Sequence, residues 1–337
     1  MDKIDKKEVL RKKRGQVSKE DISKFNEEYI DKANDELIAL LKSKDSQKRT
    51  LSIYLLGEIN DKIAIPYLSQ LFLEEKALYT RLAISEVLAN FGEDAVPSLI
   101  NLLGKIGNNQ EKSLPEKYFN KKSFPLPRDL ATRTLTKVGK IAIPFLIEFL
   151  DKKISNINDM EIFRKEQAID ALGAIAYKYG DHRSLNSLEK LGKNELLIKN
   201  KKYIIQWKII RACCGFKNNE KALKILFLIL NNINKTNNSN NINKIINCNT
   251  DYNCNYNCNV KDIITNNYGY TYNFDNTFDN NSNNSYFYPF YWEAIRSIGQ
   301  IGIVNNEVIN FFDSFRDNTN TQIKLALKIA KNSLKLY

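Results

Sequence analysis

The chain has 337 residues, 43% hydrophobic and 27% charged, with 51 Lys and Arg against 39 Asp and Glu for a formal net of +12. That apolar fraction is ample for a buried core, yet the longest apolar runs, Ile141 to Ile147 and Ile225 to Leu230, fall far short of the ~20 residues a membrane span needs. Five cysteines without a hydrophobic leader predict a cytoplasmic protein with no disulfide framework, and a single histidine, His182, leaves no room for a His-rich metal centre.

Residues 1–34 form a basic N-terminal arm or helix, with seven basic and three acidic residues in the first 14. Its LRKKRG run, Leu10 to Gly15, reads as a basic arm, a targeting signal or a frayed helix start. Asp35 to Leu41 reads as the second helix of an opening unit.

A repeat follows over residues 35–230. Three segments align on a proline: LLGEINDKIAIPYLSQLF (Leu55 to Phe72), LANFGEDAVPSLINLL (Leu88 to Leu103) and LTKVGKIAIPFLIEFL (Leu135 to Leu150). Gly92 and Gly139 stand five residues before Pro97 and Pro144, and Arg81 and Arg128 occupy matching positions upstream. The pattern predicts a helix closed by a left-handed glycine, a short turn, and a second helix with proline in its first turn, where the missing N–H costs nothing. After the prolines, Leu99/Leu102/Leu103 and Leu146/Phe149/Leu150 share one helical face. A pair this small cannot bury its own apolar stripe, so pairs must stack. Weaker copies run from Phe163 to Leu191, with Ser184 near the proline position, and from Tyr203 to Leu230, with Gly215 as the break.

Two segments interrupt the period. Residues 104–127, with Gly107, Pro115, Pro125 and Pro127, read as an insert loop on one edge. Residues 231–285 hold 22 Asn, no Pro and one Gly, the composition of a disordered low-complexity insert. Regular structure resumes near Tyr286 to Trp292, and residues 286–337 supply a last repeat and a capping helix, TQIKLALKIAKNSLKLY, with Ile323, Leu327, Ala330 and Leu334 on one stripe.

Leu56-Gly57-Glu58-Ile59, Phe91 through Pro97, Val138-Gly139 through Pro144 and Ala171 through Ile175 resemble units of the HEAT-repeat (armadillo-type) superfamily, especially the short-repeat subtype named for phycobilisome lyases, whose pattern is roughly ALGxIGD…AVPxLxxLL. The resemblance covers roughly residues 35–230 and 290–337 and implies an all-α, right-handed α-solenoid of about five to six helical hairpins. The matching positions are core and turn positions, so they imply a fold and no reaction.

Chemistry-bearing motifs are sparse. Cys248, Cys254 and Cys258 lack a fourth ligand and the paired spacing of a zinc site; Cys213 and Cys214 read as small core residues. His182 sits in a turn with no nucleophile placed beside it, and no phosphate loop or nucleophile elbow occurs. The residues predict no metal, no cofactor and no enzyme. The deoxyhypusine-modifying hydroxylase of similar repeat architecture needs repeated His-Glu pairs that one histidine cannot supply. A phosphate-binding groove of the HEAT-like DNA glycosylase kind needs cations where Gln70, Asn101 and Glu148 stand, and bilin-lyase chemistry has no residue to carry it. The best local binding candidate is the stretch from Lys190 to Lys224, with ten basic and two acidic residues, in which Lys199, Lys201, Lys202, Lys208 and Arg211 would meet an anion or an acidic partner. The resulting expectation is a non-catalytic scaffold for an unidentified protein partner, with no membrane association. The alternative is a nucleic-acid-associated protein using that stretch, and a glycosylase or lyase is third.

Overall fold

The computed structural model describes residues 3–32, 34–119, 123–154, 159–199, 202–248 and 287–336, with backbone only for 3–5, 159 and 235–248. The protein is all-α: the described residues hold helices, turns and no strand.

Three helices open the chain, α1 (Lys3–Lys13), α2 (Lys19–Tyr29) and α3 (Asn34–Leu40). The LRKKRG run is the C-terminal end of α1, where Arg11, Lys12 and Lys13 face the negative end of the helix dipole. It is docked rather than frayed, because Ser46 Oγ donates to the carbonyls of Lys12 (3.1 Å) and Lys13 (3.0 Å), and Tyr79 N donates to Arg14 O (2.9 Å).

The repeat then produces alternating helices: α4 (Ser46–Glu58), α5 (Ile65–Glu74), α6 (Leu78–Asn90), α7 (Val96–Leu102), α8 (Leu130–Val138), α9 (Ile143–Asp151), α10 (Asp159–Tyr179), α11 (Leu185–Gly192), α12 (Glu195–Lys199), α13 (Tyr203–Cys213) and α14 (Glu220–Cys248). After residues 249–286, where the sequence-predicted disordered stretch and its Cys254 and Cys258 lie outside the described residues, come α15 (Tyr288–Ile301), α16 (Asn306–Asp313) and α17 (Thr321–Leu334). The Asn-rich segment is not irregular from its start, since α14 continues to Cys248 and buries Ile233.

Helix neighbours fall into two rows. One runs α4, α6, α8, α10, α13, α15, α17, each against the next; the other runs α5, α7, α9, α11, α14. One apolar core cluster runs through the chain from Phe25 to Ala330. Pro66, Pro97 and Pro144 each occupy the first turn of the second helix of their pair, and Gly92 (φ 58°) and Gly139 (φ 79°) take a positive φ before it, Gly139 in an extended rather than left-handed helical conformation.

Gly57, Gly173 and Gly299 do something else. A Cβ on Gly57 would lie 2.7 Å from Val87, on Gly173 2.8 Å from the Cα of Ala212, and on Gly299 2.9 Å from the Cα of Ala330. They let consecutive helices of the first row approach closely. Gly215 lies in the break between α13 and α14, as the sequence predicts, and is also closely approached: its Cβ would sit 2.3 Å from Gly173 O, while the positive-φ residue of that turn is Asn218.

The expected equivalence of Arg81 and Arg128 does not hold. Arg81 Nε donates to Glu75 O (2.6 Å) and Arg133 Nε to Pro127 O (2.5 Å), each bridging six residues at the start of its helix. Helix α8 is shorter than α6, so counting back from the proline lands on Arg128.

Candidate functional site: a strap-walled cleft over a buried ionic cluster

Polar side chains along the first row change character from one end to the other. Near α4, α6 and α8 they are hydroxyls that stitch neighbouring helices: Thr50 to Thr80 (2.9 Å) and Ser85 to Thr134 (2.8 Å). At α10, α13 and α15 they are ionic and buried, including Glu166, Asp170, Lys208, Arg211, Glu293 and Arg296.

The insert between α7 and α8 covers this charged portion. It is a strap held by specific contacts at both ends of its described course. Near its start, Asp129 Oδ2 accepts from Gly104 N (3.2 Å) and Gln110 Nε2 (3.3 Å). Further on, Tyr118 N donates to Gln322 Oε1 and Gln322 Nε2 donates to Glu116 O (3.3 Å), fixing the strap to α17. Phe119 lies 5.4 Å from the Arg296 guanidinium, and Phe124 packs near Tyr177 of α10.

Glu111 of the strap joins the buried Asp170, Lys208 and Arg211, and the exposed Arg128 reaches it at 3.4 Å. Lys208 Nζ is 2.7 Å from Asp170 Oδ2 and 3.5 Å from Glu111 Oε2. Arg211 reaches Asp170 Oδ1 at 2.7 Å and Glu111 Oε1 at 3.1 Å, and its guanidinium stacks 4.3 Å from the Trp207 ring centre. Burial works against ionisation of Glu111, but Arg211 and Lys208 outweigh it and hold its carboxyl down at about 2. Burial likewise disfavours the charge on Arg211, and Asp170 and Glu111 reverse that and raise it. Beside the cluster, Glu293 and Arg296 pair at 2.5 Å, and Arg296 also donates to Cys214 Sγ (3.4 Å).

Glu166 stands one helical turn before Asp170 on α10. It is 5% exposed, its Oε2 has no hydrogen-bond partner, and desolvation lifts its carboxyl to about 8. It lines a cleft of about 1380 Å³ between the strap and the first-row helices. Phe163, Tyr203, Tyr288 and Trp292 supply aromatic wall, and Lys105, Lys112 and Lys202 are the cations along it.

The structure scatters the sequence-predicted anion-binding residues. Lys208 and Arg211 are not surface cations: they are 0% and 6% exposed and are spent on Asp170 and Glu111. The reason is periodic. Both lie on a helix whose residues from Ile205 to Cys213 are all buried, so their neighbourhood in sequence says nothing about solvent. Lys199 is exposed and pairs with Glu195 (3.7 Å), Lys202 lines the cleft, and Lys201 lies outside the described residues. Others of the basic stretch answer local carboxylates, Lys190 with Asp151 (3.7 Å), Lys193 with Glu189 (2.6 Å) and Lys221 with Glu189 (3.0 Å).

His182 is an exposed turn residue whose Nδ1 meets Asn219 (3.0 Å), while Asp181 serves Arg183 (2.8 Å). Cys213 and Cys214 are buried, and burial pushes both thiols up. Gln70, Asn101 and Glu148 are exposed on α5, α7 and α9. Among the described residues no group of three His, Cys, Asp or Glu is placed to hold a metal, and no helix is long and apolar enough to cross a membrane. Glu111 and Glu166 had no sequence signal as site residues; the one available cue was four ionisable residues, Lys165, Glu166, Asp170 and Lys208, inside otherwise apolar helical patterns. The sequence matches no family model and no curated protein.

Proposed function

We propose that the chain is a HEAT-type, right-handed α-solenoid acting without catalysis in the cytoplasm, and that it holds a segment of a partner protein in the cleft beneath the strap. The two ordered rows of helices, the prolines in first turns and the positive-φ glycines before them support the architecture. The cleft itself carries the functional reading: at about 1380 Å³ it exceeds the roughly 300–1,000 Å³ usual for small-molecule pockets. Its aromatic walls with a few polar groups suit side chains from an extended polypeptide. Burial of Lys208 and Arg211 removes two of the five cations on which the nucleic-acid alternative depended.

The test is a pair of cleft-filling variants. Ser113 is an exposed strap residue and Ile204 lines the opposite side, so Ser113→Trp and Ile204→Trp fill the cleft without removing a core contact. A cross-linked partner recovered with the wild type and lost with both variants supports the reading; a partner retained by both overturns it. Nucleic acid bound with a steep loss between low and moderate salt would restore the alternative.

A further inference from the structure

One carboxyl at the cleft floor has no direct cation. Glu111 and Asp170 are met by Lys208 and Arg211 through direct contacts, with Arg128 also 3.4 Å from Glu111, and Glu293 by Arg296. Glu166 is left over: its Oε2 has no partner, it is 5% exposed, and it faces the cleft. A buried carboxyl in that position stays protonated until a positive charge arrives.

Around it the wall is aromatic, Phe163, Tyr203, Tyr288 and Trp292, which gives an alkyl stem apolar surface and a cation electron-rich faces.

We propose that the cleft is a site for a protonated amine on an alkyl stem, a lysine side chain of the bound partner segment, with the ammonium seated on the carboxylate of Glu166. This rests on the partner-binding reading above for the source of the lysine, not for the chemistry of the site.

Seating the ammonium ionises Glu166, so binding expels a proton. The groups acting on that carboxyl are Asp170 on its own helix, Lys208 of α13, Lys202 just before α13 and Glu111 of the strap. With the carboxyl at about 8 when empty, affinity for the amine rises by about tenfold per pH unit between roughly 6 and 8 and levels off above. The amine itself, with a pKa of about 10.4, stays charged throughout.

The experiment is calorimetric titration of the full chain with hexylammonium, hexanol, hexanoate and the capped tripeptide Ala-Lys-Ala at several pH values and in two buffers of different ionisation enthalpy. Hexylammonium and the tripeptide should bind with release of one proton at pH 6 to 7, hexanol and hexanoate at least tenfold more weakly. Glu166→Gln should lose at least tenfold for both amines and lose the pH dependence. Equal binding of hexanol or hexanoate, unchanged amine affinity in Glu166→Gln, or no amine binding overturns the site. A tripeptide excluded while hexylammonium binds overturns the lysine source. Because Glu166→Gln keeps the side-chain shape, its melting temperature should match or exceed the wild type, and Ser113→Trp tests the same site with Glu166 intact. A partner lost by the Trp variants but kept undiminished by Glu166→Gln sinks the charge proposal and leaves the cleft reading standing. A partner kept by all three sinks the cleft reading, while the amine titration still decides the site.

Discussion

Replacing Lys208 by methionine leaves Asp170 facing Arg211 alone, while Glu111 keeps Arg211 and the exposed Arg128. Breaking a buried pair from one side costs about 3–5 kcal/mol because the remaining charge is stranded. Lys199, exposed and paired only with its helix neighbour Glu195 at 3.7 Å, should cost within about 0.5 kcal/mol when changed to Ala. Urea unfolding of the two variants measures the contrast, and near-equal losses would show that the cluster contributes no more than a surface pair. The two carboxyls at the cleft floor pull stability in opposite directions with pH. For Glu166, at about 8 against the ordinary 4.5, the folded state keeps a proton that the unfolded chain has released. Stability therefore falls as pH rises from 4.5 to about 8, by on the order of 5 kcal/mol, and is flat above. Glu111 is held at about 2, so its contribution is full above 4.5 and is lost as pH falls toward 2. Glu166→Gln should raise the melting temperature at pH 8 and flatten the profile between pH 5 and 8; an unchanged profile would mean that Glu166 is not desolvated in solution.

At the scale of single elements, glycine separates two physical roles that look alike in sequence. Gly92 has φ 58° with open space around its missing Cβ, so Gly92→Ala carries only the left-handed strain, about 1 kcal/mol. Gly173 is helical, and its added Cβ would come within 2.8 Å of the Ala212 backbone. Gly173→Ala must therefore push α13 off α10, and overpacking of that kind costs about 1–3 kcal/mol or more. Thermal unfolding should rank Gly173→Ala clearly below Gly92→Ala; the reverse order would place the α10–α13 contact wrongly. The pattern ALGxIG contains both roles in one string: helix ends are readable at Gly92, Gly139 and Gly215, while the close approach of Gly215 to Gly173 O, 2.3 Å from its absent Cβ, carries no local signal. Helices and turns were legible because a period of 3.6 and a fixed-φ proline act locally. The ionic cluster was not, because Glu111 and Arg211 are 100 residues apart and meet only through a strap without periodicity. Nor does a lysine in a chain rich in lysine announce that it is inside.

Over the whole molecule the strap changes what a linear stack would do. In a simple stack each unit touches only its neighbours, so opening one end leaves the other indifferent. Here residues 104–119 leave α7 and reach α13 through Glu111, α15 through Phe119 and α17 through Gln322, tying the middle of the chain to its last helix. The portion from α10 to α17 should then open as one cooperative unit, while α4 and α6, joined to each other by Thr50–Thr80 and to α8 by Ser85–Thr134, keep their own stability. Glu111→Ala leaves Lys208 with Asp170 alone and takes the strap's carboxylate from Arg211. Amide hydrogen exchange on that variant should show protection falling together in α10, α13 and α15, by the factor of about 100 or more that a loss near 3 kcal/mol produces. Amides of α4 and α6 should keep wild-type rates. Loss confined to α13 would reduce the strap to a local lid, and loss spread evenly to α4 would mean that the stack has no such division.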